Sequence, residues 1–113
     1  MLITTSNLEK KTNSTSCVVE EYKFNKKNAS LAKATIKGRY PEKGFAVNDE
    51  CDMIYYALSG TCEIHYKDNI YKISKGDACL IEKKNMYWVE GTIELLIFNS
   101  PAWHINQYRQ LNK

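Results

Sequence analysis

The residues between positions 48 and 52 are the densest group of side chains in this sequence that could do chemistry. Asn48, Asp49, Glu50 and Asp52 place three carboxylates and one amide in a single short segment. Three carboxylates buried together would raise the pKa of at least one of them, whereas a solvated loop would leave them as surface charges. Within this segment, Asn48 and Glu50 are the residues that we expect to turn toward a ligand.

Tyr87 is a second candidate for chemistry. A phenol can donate a hydrogen bond to a ligand oxygen or act as a general acid, but with an ordinary pKa of about 10 it needs a perturbing neighbour to do acid-base work near neutral pH. The alternative is a packed tyrosine whose hydroxyl is satisfied within the protein. If the protein is an enzyme, the candidate catalytic residues are Tyr87, Asp49 and Glu50.

Three further side chains could take part in binding. Arg39, one of two arginines, could hold a carboxylate or phosphate through two parallel hydrogen bonds, or form a salt bridge to the acidic segment. Trp88 and Trp103 are large rigid rings that could close a pocket or an interface, although packing in a core or interface is the simpler expectation. Cys51 and Cys79 are not expected to be nucleophiles, because no histidine is placed by the pattern to activate them.

Short runs of strand-forming residues must position these side chains. Gly44, Gly60, Gly76 and Gly91 are 16, 16 and 15 residues apart, which fits about two strands per interval in an all-β barrel or sandwich. The predicted strands cover residues 17–24, 31–36, 53–58, 62–66, 70–73, 78–81, 87–89 and 93–98, with a hairpin turn at 67–69. Helix content should be small, and only the tail at 105–111 has any helical pattern.

Alternation along these strands predicts which side chains face the interior. Counting from Met53 places Met53, Tyr55 and Ala57 in the lumen, and the same reasoning places Tyr87 and Val89 there. The pocket should therefore have aromatic and apolar walls. Residues 53–58 are apolar on both faces, so their outer face must be covered by the N-terminal strands or by a second subunit.

Composition and charge argue against several classes of protein. With 113 residues, 43% hydrophobic and 26% charged, the chain should form one globular domain rather than a disordered segment. We expect residues 1–16 to be a flexible lead-in and residues 17–113 to be the domain with a short C-terminal extension. The lysines behind the net charge of +3 are scattered through turns and the N-terminal arm, which argues against nucleic acid as a partner.

Location and redox state follow from similar reasoning. No window approaches the length of a membrane-spanning helix, and the first residues turn polar before a secretory hydrophobic stretch could form. We therefore expect a cytoplasmic protein without a membrane partner. The four cysteines lack the paired spacing of a zinc site and are expected to be reduced, mostly buried thiols.

The order of the segments resembles the cupin superfamily over about residues 31–103, with Leu58-Ser59-Gly60 and the segment 75–81 as anchors. The resemblance implies an all-β antiparallel jelly-roll barrel, the double-stranded β-helix of RmlC-like proteins. Segment 38–48 and the closing Ser100-Pro101-Ala102-Trp103 with Gln107 look like a group of small single-domain bacterial cupins of unassigned function. Members of that group are commonly dimers, so a homodimer is expected.

The resemblance also implies where metal ligands would stand. Metal-binding cupins place two histidines and a glutamate in the first motif and a histidine in the second. This sequence has other residues at those positions: Val47 and Asp49, or Ala46 and Asn48 with a longer spacer, then Met53 and Tyr87. Met, Val and Tyr hold first-row metals poorly, so we expect neither a metal nor another cofactor. The two histidines, His65 and His104, are expected to be surface or satisfied residues, with His65 facing solvent.

The sequence therefore predicts a metal-free cupin that binds a small molecule in an aromatic and apolar barrel pocket. The residues expected to contact the ligand are Arg39, Asn48, Glu50, Met53, Tyr55, Tyr87, Val89 and Trp103. The alternative is a metal-independent sugar or nucleotide-sugar epimerase or isomerase in which Tyr87 and Asp49 or Glu50 move a proton. The superfamily's epimerases use a barrel histidine, which is not expected in this lumen. A third hypothesis, stacking of nucleic acid bases on an open barrel, has the least support.

Overall fold

The alternating segments of the sequence form one curled antiparallel sheet. The computed structural model describes residues 1–112 and contains the strands β1 Glu9–Ser14, β2 Cys17–Tyr22, β3 Ser30–Tyr40, β4 Phe45–Asn48, β5 Asp52–Tyr66, β6 Asn69–Ser74, β7 Ala78–Ile81, β8 Tyr87–Ser100 and β9 Tyr108–Leu111. Two short 3-10 turns lie at Thr5–Asn7 and Ile105–Gln107. Over the described range, the chain forms no helix long and apolar enough to span a membrane.

Two long strands organise the sheet. β5 pairs with β6, β7 and β8, while the remaining strands follow the order β1-β2-β3-β8-β4-β9. β8, which pairs with β3, β4 and β5, therefore joins the two parts of the sheet, and β5 and β8 together curl it into a half-barrel whose concave face is buried. Segments 53–58 and 62–66, expected as separate strands, are parts of β5, and segments 87–89 and 93–98 are parts of β8.

The periodic glycines explain why the strands are longer than the sequence indicates. Gly60 and Gly91 lie inside β5 and β8 and have φ angles of 82° and 151°. A Cβ atom at Gly60 would collide with the carbonyl oxygen of Thr92, and one at Gly91 with that of Thr61. A shift of register between residues 57 and 59 lies next to Gly60. These glycines mark bends within paired strands rather than the ends of strands.

The inward-facing residues follow the predicted alternation. Met53, Tyr55, Ala57, Tyr87 and Val89 are all buried, with at most 4% of their surface exposed. The predicted hairpin turn is also present, because β5 and β6 pair on either side of residues 67 and 68. All four cysteines are free and buried, as expected.

The outer face of β5 is not covered by the N-terminal strands. β1 and β2 extend the sheet beyond β3 instead of folding over β5. As a result, Ile54 and Tyr56 remain 39% and 43% exposed. Of the two expectations for this face, cover by the N-terminal strands is wrong, because β2 uses its backbone groups to pair edge to edge with β3.

Both ends of the chain add strands that the sequence pattern did not reveal. β1 falls within the stretch expected to be a lead-in, and it forms a hairpin with β2. Its residues are polar on both faces and mostly exposed, so no alternation marks it. The tail forms a 3-10 turn and then β9, which pairs with β4. The helical pattern at 105–111 therefore gives only one 3-10 turn before β9 begins. Both ends of the chain contribute strands to the same sheet.

Candidate ligand-binding cavity

A cavity of about 90 Å³ lies against the concave face of the sheet. Its polar residues are Lys11, Asn13, Glu21, Ser30 and Asn99, its phenols are Tyr40, Tyr55, Tyr87 and Tyr108, and its apolar residues include Cys17, Val19, Ala32, Ala34, Ile36, Met53, Ile97 and Trp103. A wider depression of about 410 Å³ shares Asn13, Tyr40, Trp103 and Tyr108 with it. The two adjoin, and together they provide a narrow interior with a broader mouth.

Four tyrosines form the phenolic side of the cavity. The rings of Tyr55 and Tyr87 meet edge to face with centroids 6.5 Å apart, a favourable aromatic geometry. The hydroxyls of Tyr40 and Tyr108 are hydrogen-bonded at 2.8 Å. Burial raises the pKa of all four phenols above the ordinary value. They therefore stay protonated at neutral pH and can both donate and accept hydrogen bonds.

Asn48 lies behind the cavity wall and holds two of its residues in place. It is only 3% exposed, and its Oδ1 accepts hydrogen bonds from Trp103 Nε1 at 3.1 Å and Gln107 Nε2 at 2.8 Å. Its Nδ2 lies 3.3 Å from Met53 Sδ. Asn48 thus orients Trp103 and Met53 and is not among the lining residues.

The acidic segment is a loop, which was the second interpretation of the sequence. Asp49 accepts two hydrogen bonds from Arg109, at 2.8 and 3.0 Å. Glu50 is exposed and lies 3.2 Å from His104 Nε2. Asp52 accepts a hydrogen bond from the backbone N–H of Lys83. None of these carboxylates lines the cavity, so the structure does not bring Asp49 or Glu50 together with Tyr87.

The contacts of Arg39 differ from both of those expected, which were a ligand's carboxylate or phosphate and the acidic segment. Its guanidinium donates hydrogen bonds to the backbone carbonyls of Pro41 at 2.6 Å and Gly44 at 2.9 Å, and it lies 4.2 Å from the ring centroid of Trp88. His65 also stacks on Trp88, with ring centroids 3.6 Å apart, and is partly buried instead of facing solvent. These contacts hold the turn after β3, away from the cavity lining.

Of the eight residues expected to contact a ligand, the structure brings four to the cavity: Met53, Tyr55, Tyr87 and Trp103. Val89 is fully buried but belongs to the core beside the cavity. Sequence reasoning missed Lys11, Glu21 and Asn99, as well as Tyr40 and Tyr108. Glu21 continues the inward alternation of Cys17 and Val19 on β2, and this was the one signal that could have revealed it.

The side chains at the cupin metal positions do not fit a divalent metal. Met53 presents a thioether whose sulfur is contacted by the amide of Asn48, and the pKa of Tyr87 is raised by burial, which keeps its phenol protonated. Within residues 1–112, no three His, Cys, Asp or Glu side chains are grouped as a metal site would need. A thioether and a protonated phenol are poor ligands for first-row divalent metals.

Comparison with known proteins places the fold. No family model matches the sequence, and no curated protein matches it significantly. Among solved structures, the nucleoside dehydratase Pac13 superposes with a TM-score of 0.89 at 14% identity, over 99% of this chain and 91% of that one. A Streptomyces Pac13 variant with one tyrosine replaced by phenylalanine, solved with uridine, gives the same TM-score and identity over 99% and 90% of the two chains.

Two further solved structures, of proteins with other names, are also similar to this chain. KdgF from a Halomonas species matches with a TM-score of 0.75 at 12% identity, over 94% of this chain and 96% of that one. An RmlC-like cupin from Shewanella frigidimarina matches with a TM-score of 0.74 at 15% identity, over 88% and 89% of the two chains. Identities this low carry no activity across, but the superpositions agree with the strand order and the buried concave face: this chain has the cupin fold.

Proposed function

We propose that this cupin binds a small, uncharged molecule in the cavity lined by Tyr40, Tyr55, Tyr87 and Tyr108, without a metal, and that a nucleoside is the first ligand class to test. The observation that carries the proposal is a set of buried, protonated phenols around a space that opens to a broader mouth. Aromatic walls with a few fixed polar groups are typical of small-molecule sites.

The lining charges support an uncharged ligand. Lys11 and Glu21 are the lining side chains that carry charge at neutral pH, and Lys11 Nζ lies 2.9 Å from Glu21 Oε1. Because the two charges compensate each other, the cavity offers no free charge to an ionic group. A nucleoside combines a flat base, suited to an aromatic wall, with a sugar that has several hydroxyls. The solved structure of the Pac13 variant with uridine makes this class the natural starting point.

The second candidate is an enzyme, and one observation favours it. Tyr55 and Tyr87 adjoin in the cavity, and the similar protein Pac13 is described as a nucleoside dehydratase. A proton-transfer reaction at Tyr87 would use Glu21 as its carboxylate, since Glu21 lines the same cavity. The raised pKa of Tyr87 makes its phenol a weak acid near neutral pH. Binding without turnover is therefore the function that the geometry supports better.

Calorimetric titration with uridine, thymidine, cytidine and adenosine tests the proposal. We expect saturable binding of at least one nucleoside and a reduction in affinity of about tenfold for Tyr87→Phe, which removes one hydroxyl from the cavity. Product analysis of the same mixtures by mass spectrometry separates binding from turnover. Absence of binding by all four nucleosides would refute the nucleoside proposal, and conversion of one of them would favour the enzyme.

We also propose that two copies pair through the outer face of the sheet. Leu80, Ile54 and Phe98 lie opposite one another on β7, β5 and β8, and Tyr56 lies opposite Leu96 in the next row. The first three are 51%, 39% and 43% exposed, which is unusual for a contiguous apolar row.

A second copy is the occupant that suits this surface. Lys33 and Glu94 form an ion pair of 3.2 Å beside the apolar rows, so the edge of the patch carries both signs of charge. A copy related by twofold symmetry can meet such an edge with opposite charges facing. A stable interface buries about 800 Å² on each partner, so the apolar rows would form its centre and the charged residues its rim.

A further inference from the structure

Two buried oxygen atoms that line the cavity can accept a hydrogen bond from a ligand. Asn99 Oδ1 has no hydrogen-bond partner within residues 1–112, and folded proteins seldom leave such atoms unpaired. Glu21 Oε1 has Lys11 Nζ at 2.9 Å, but a carboxylate oxygen has two lone pairs and can accept a second donor. Glu21 and Asn99 both line the cavity, so both are available to a ligand.

The Glu21 carboxylate is held between two ammonium groups. Lys11 Nζ is 2.9 Å from Oε1, and Lys23 Nζ is 3.6 Å from Oε2. Each ammonium group takes up one direction of approach, whereas a carboxylate can accept donors at up to about four sites. The carboxylate can therefore still accept a donor from the cavity.

Asn99 is fixed by a different contact. Its Nδ2 donates a hydrogen bond to Ser30 Oγ at 3.3 Å, and Ser30 Oγ also accepts one from the backbone N–H of Trp103 at 3.0 Å. The amide is only 4% exposed. With Nδ2 held by Ser30, Oδ1 is the part of the amide that is left for a ligand.

The sheet sets the distance between the two acceptors. Glu21 is on β2 and lies opposite Ala32 on β3, while Asn99 is on β8 and lies opposite Ser30. They are two strands apart, which is roughly 10 Å across the sheet. The inward residues of β3 in these two rows are Ala32 and Ser30, and both have small side chains that leave space for a ligand. One small molecule with donors at both ends can therefore reach both oxygens.

We propose that the ligand brings one hydrogen-bond donor to Glu21 Oε1 and a second to Asn99 Oδ1, and that among nucleosides this selects one whose base carries an N–H group. This inference rests on the proposed function and specifies the ligand chemistry of the same cavity. A base with an imide N–H supplies a donor at one end, and the ribose hydroxyls supply donors at the other. Water can occupy such positions in the free protein, and the ligand donors replace it.

The test compares three ligands and three proteins by calorimetric titration. The ligands are uridine, 3-methyluridine, which lacks the N–H of the base, and 2′,3′-dideoxyuridine, which lacks two sugar hydroxyls. The proteins are the unaltered chain, Glu21→Gln, and the control Glu20→Gln, whose side chain belongs to the opposite face of β2. In the unaltered chain, we expect each analogue to bind about tenfold or more weakly than uridine.

The variants identify which donor Glu21 receives. Glu21→Gln should weaken uridine binding about tenfold, because a charge-assisted hydrogen bond becomes a neutral one, and it should reduce the difference between uridine and one of the two analogues. Glu20→Gln should bind all three ligands as the unaltered chain does. Asn99→Leu should reduce the difference for the other analogue; if this variant does not fold, the analogue series on the unaltered chain still decides the question.

Each outcome has a distinct meaning. Analogues that bind as tightly as uridine would overturn the two-donor inference and leave nucleoside binding intact. Equal affinities of Glu21→Gln and Glu20→Gln for the three ligands would also overturn the two-donor inference and leave nucleoside binding intact. If no nucleoside binds the unaltered chain, the proposed function and this inference both fail.

Discussion

The two faces of the sheet are made of neighbouring residues but offer different surfaces. On β5, Tyr55 lines the cavity while Tyr56 is 43% exposed on the outside. On β2, Glu21 faces inward, and the adjacent Glu20 does not line the cavity. Both faces are largely apolar, but the concave one encloses its phenols, a carboxylate and the unpaired amide oxygen of Asn99 around a cavity. The comparison shows that two apolar faces of one sheet can differ in the polar groups set within them, and those groups are the reason for proposing the concave face as the binding site.

The largest difference between the faces should appear in stability. Leu95 is fully buried on the inner face of β8, and its neighbour Leu96 is partly exposed on the outer face. We expect Leu95→Ala to lower the free energy of unfolding by about 3 kcal/mol, because it leaves a cavity in a closed core. Leu96→Ala should cost about 1 kcal/mol or less. Urea unfolding at low protein concentration measures both, and equal losses would contradict the assignment of the faces.

A charge on the outer face should separate the proposed dimer. Phe98→Lys places an ammonium at the centre of the apolar rows, and we expect the dimer dissociation constant to rise about a hundredfold or more. Ile70→Lys is the control, since Ile70 is 62% exposed on β6 outside those rows. Sedimentation velocity measures the association of both variants. If the unaltered chain is already a monomer at high micromolar concentration, the dimer proposal is wrong.

Adjacent tyrosines provide the matched test of the cavity. Tyr55→Phe removes a hydroxyl that lines the cavity and should weaken uridine binding about tenfold. Tyr56→Phe removes the same atom from the outer face and should leave the affinity unchanged. Both variants keep the aromatic ring, so thermal unfolding should show that each is folded. Equal effects on affinity would place the ligand elsewhere on the molecule.

Alkaline pH should act on the buried groups of the concave face. Burial raises the pKa of Cys17 from 9.0 to about 11 and raises that of Tyr55 and Tyr87 above the ordinary 10.0. At a pH between the ordinary and the raised pKa of such a group, the group is ionised in the unfolded chain but not in the folded protein. Ionisation therefore favours unfolding. Stability should be full below about pH 9 and decrease as the pH rises toward 11. Urea unfolding from pH 7 to 10.5 measures this, and a flat profile would contradict the burial of these groups.

Local alternation was enough to predict the concave face. The pattern from Met53 to Ala57 placed three residues correctly in the interior, because a two-residue period needs no knowledge of the partner strand. The glycine spacing predicted the all-β class but not the length of β5 and β8, since a glycine can end a strand or bend it.

Contacts between distant segments could not be predicted in the same way. Asp49 and Glu50 are held by Arg109 and His104, which are more than fifty positions away. Nothing near the acidic segment indicates those partners. The inward position of Lys11 depends on the register of β1 against β2, and β1 carries no alternation that would fix its register.

The pairing of β5 and β8 also determines how this chain folds. Asp52 pairs with Ser100, and Ser30 on β3 pairs with Asn99, so the central strands meet only after long loops have closed. Such non-local pairing carries a large entropic cost before the first contacts form, and all-β domains of this kind fold in milliseconds to seconds. The β1–β2 and β5–β6 hairpins can form early, but the half-barrel is complete only when β8, near the end of the chain, has joined both parts of the sheet.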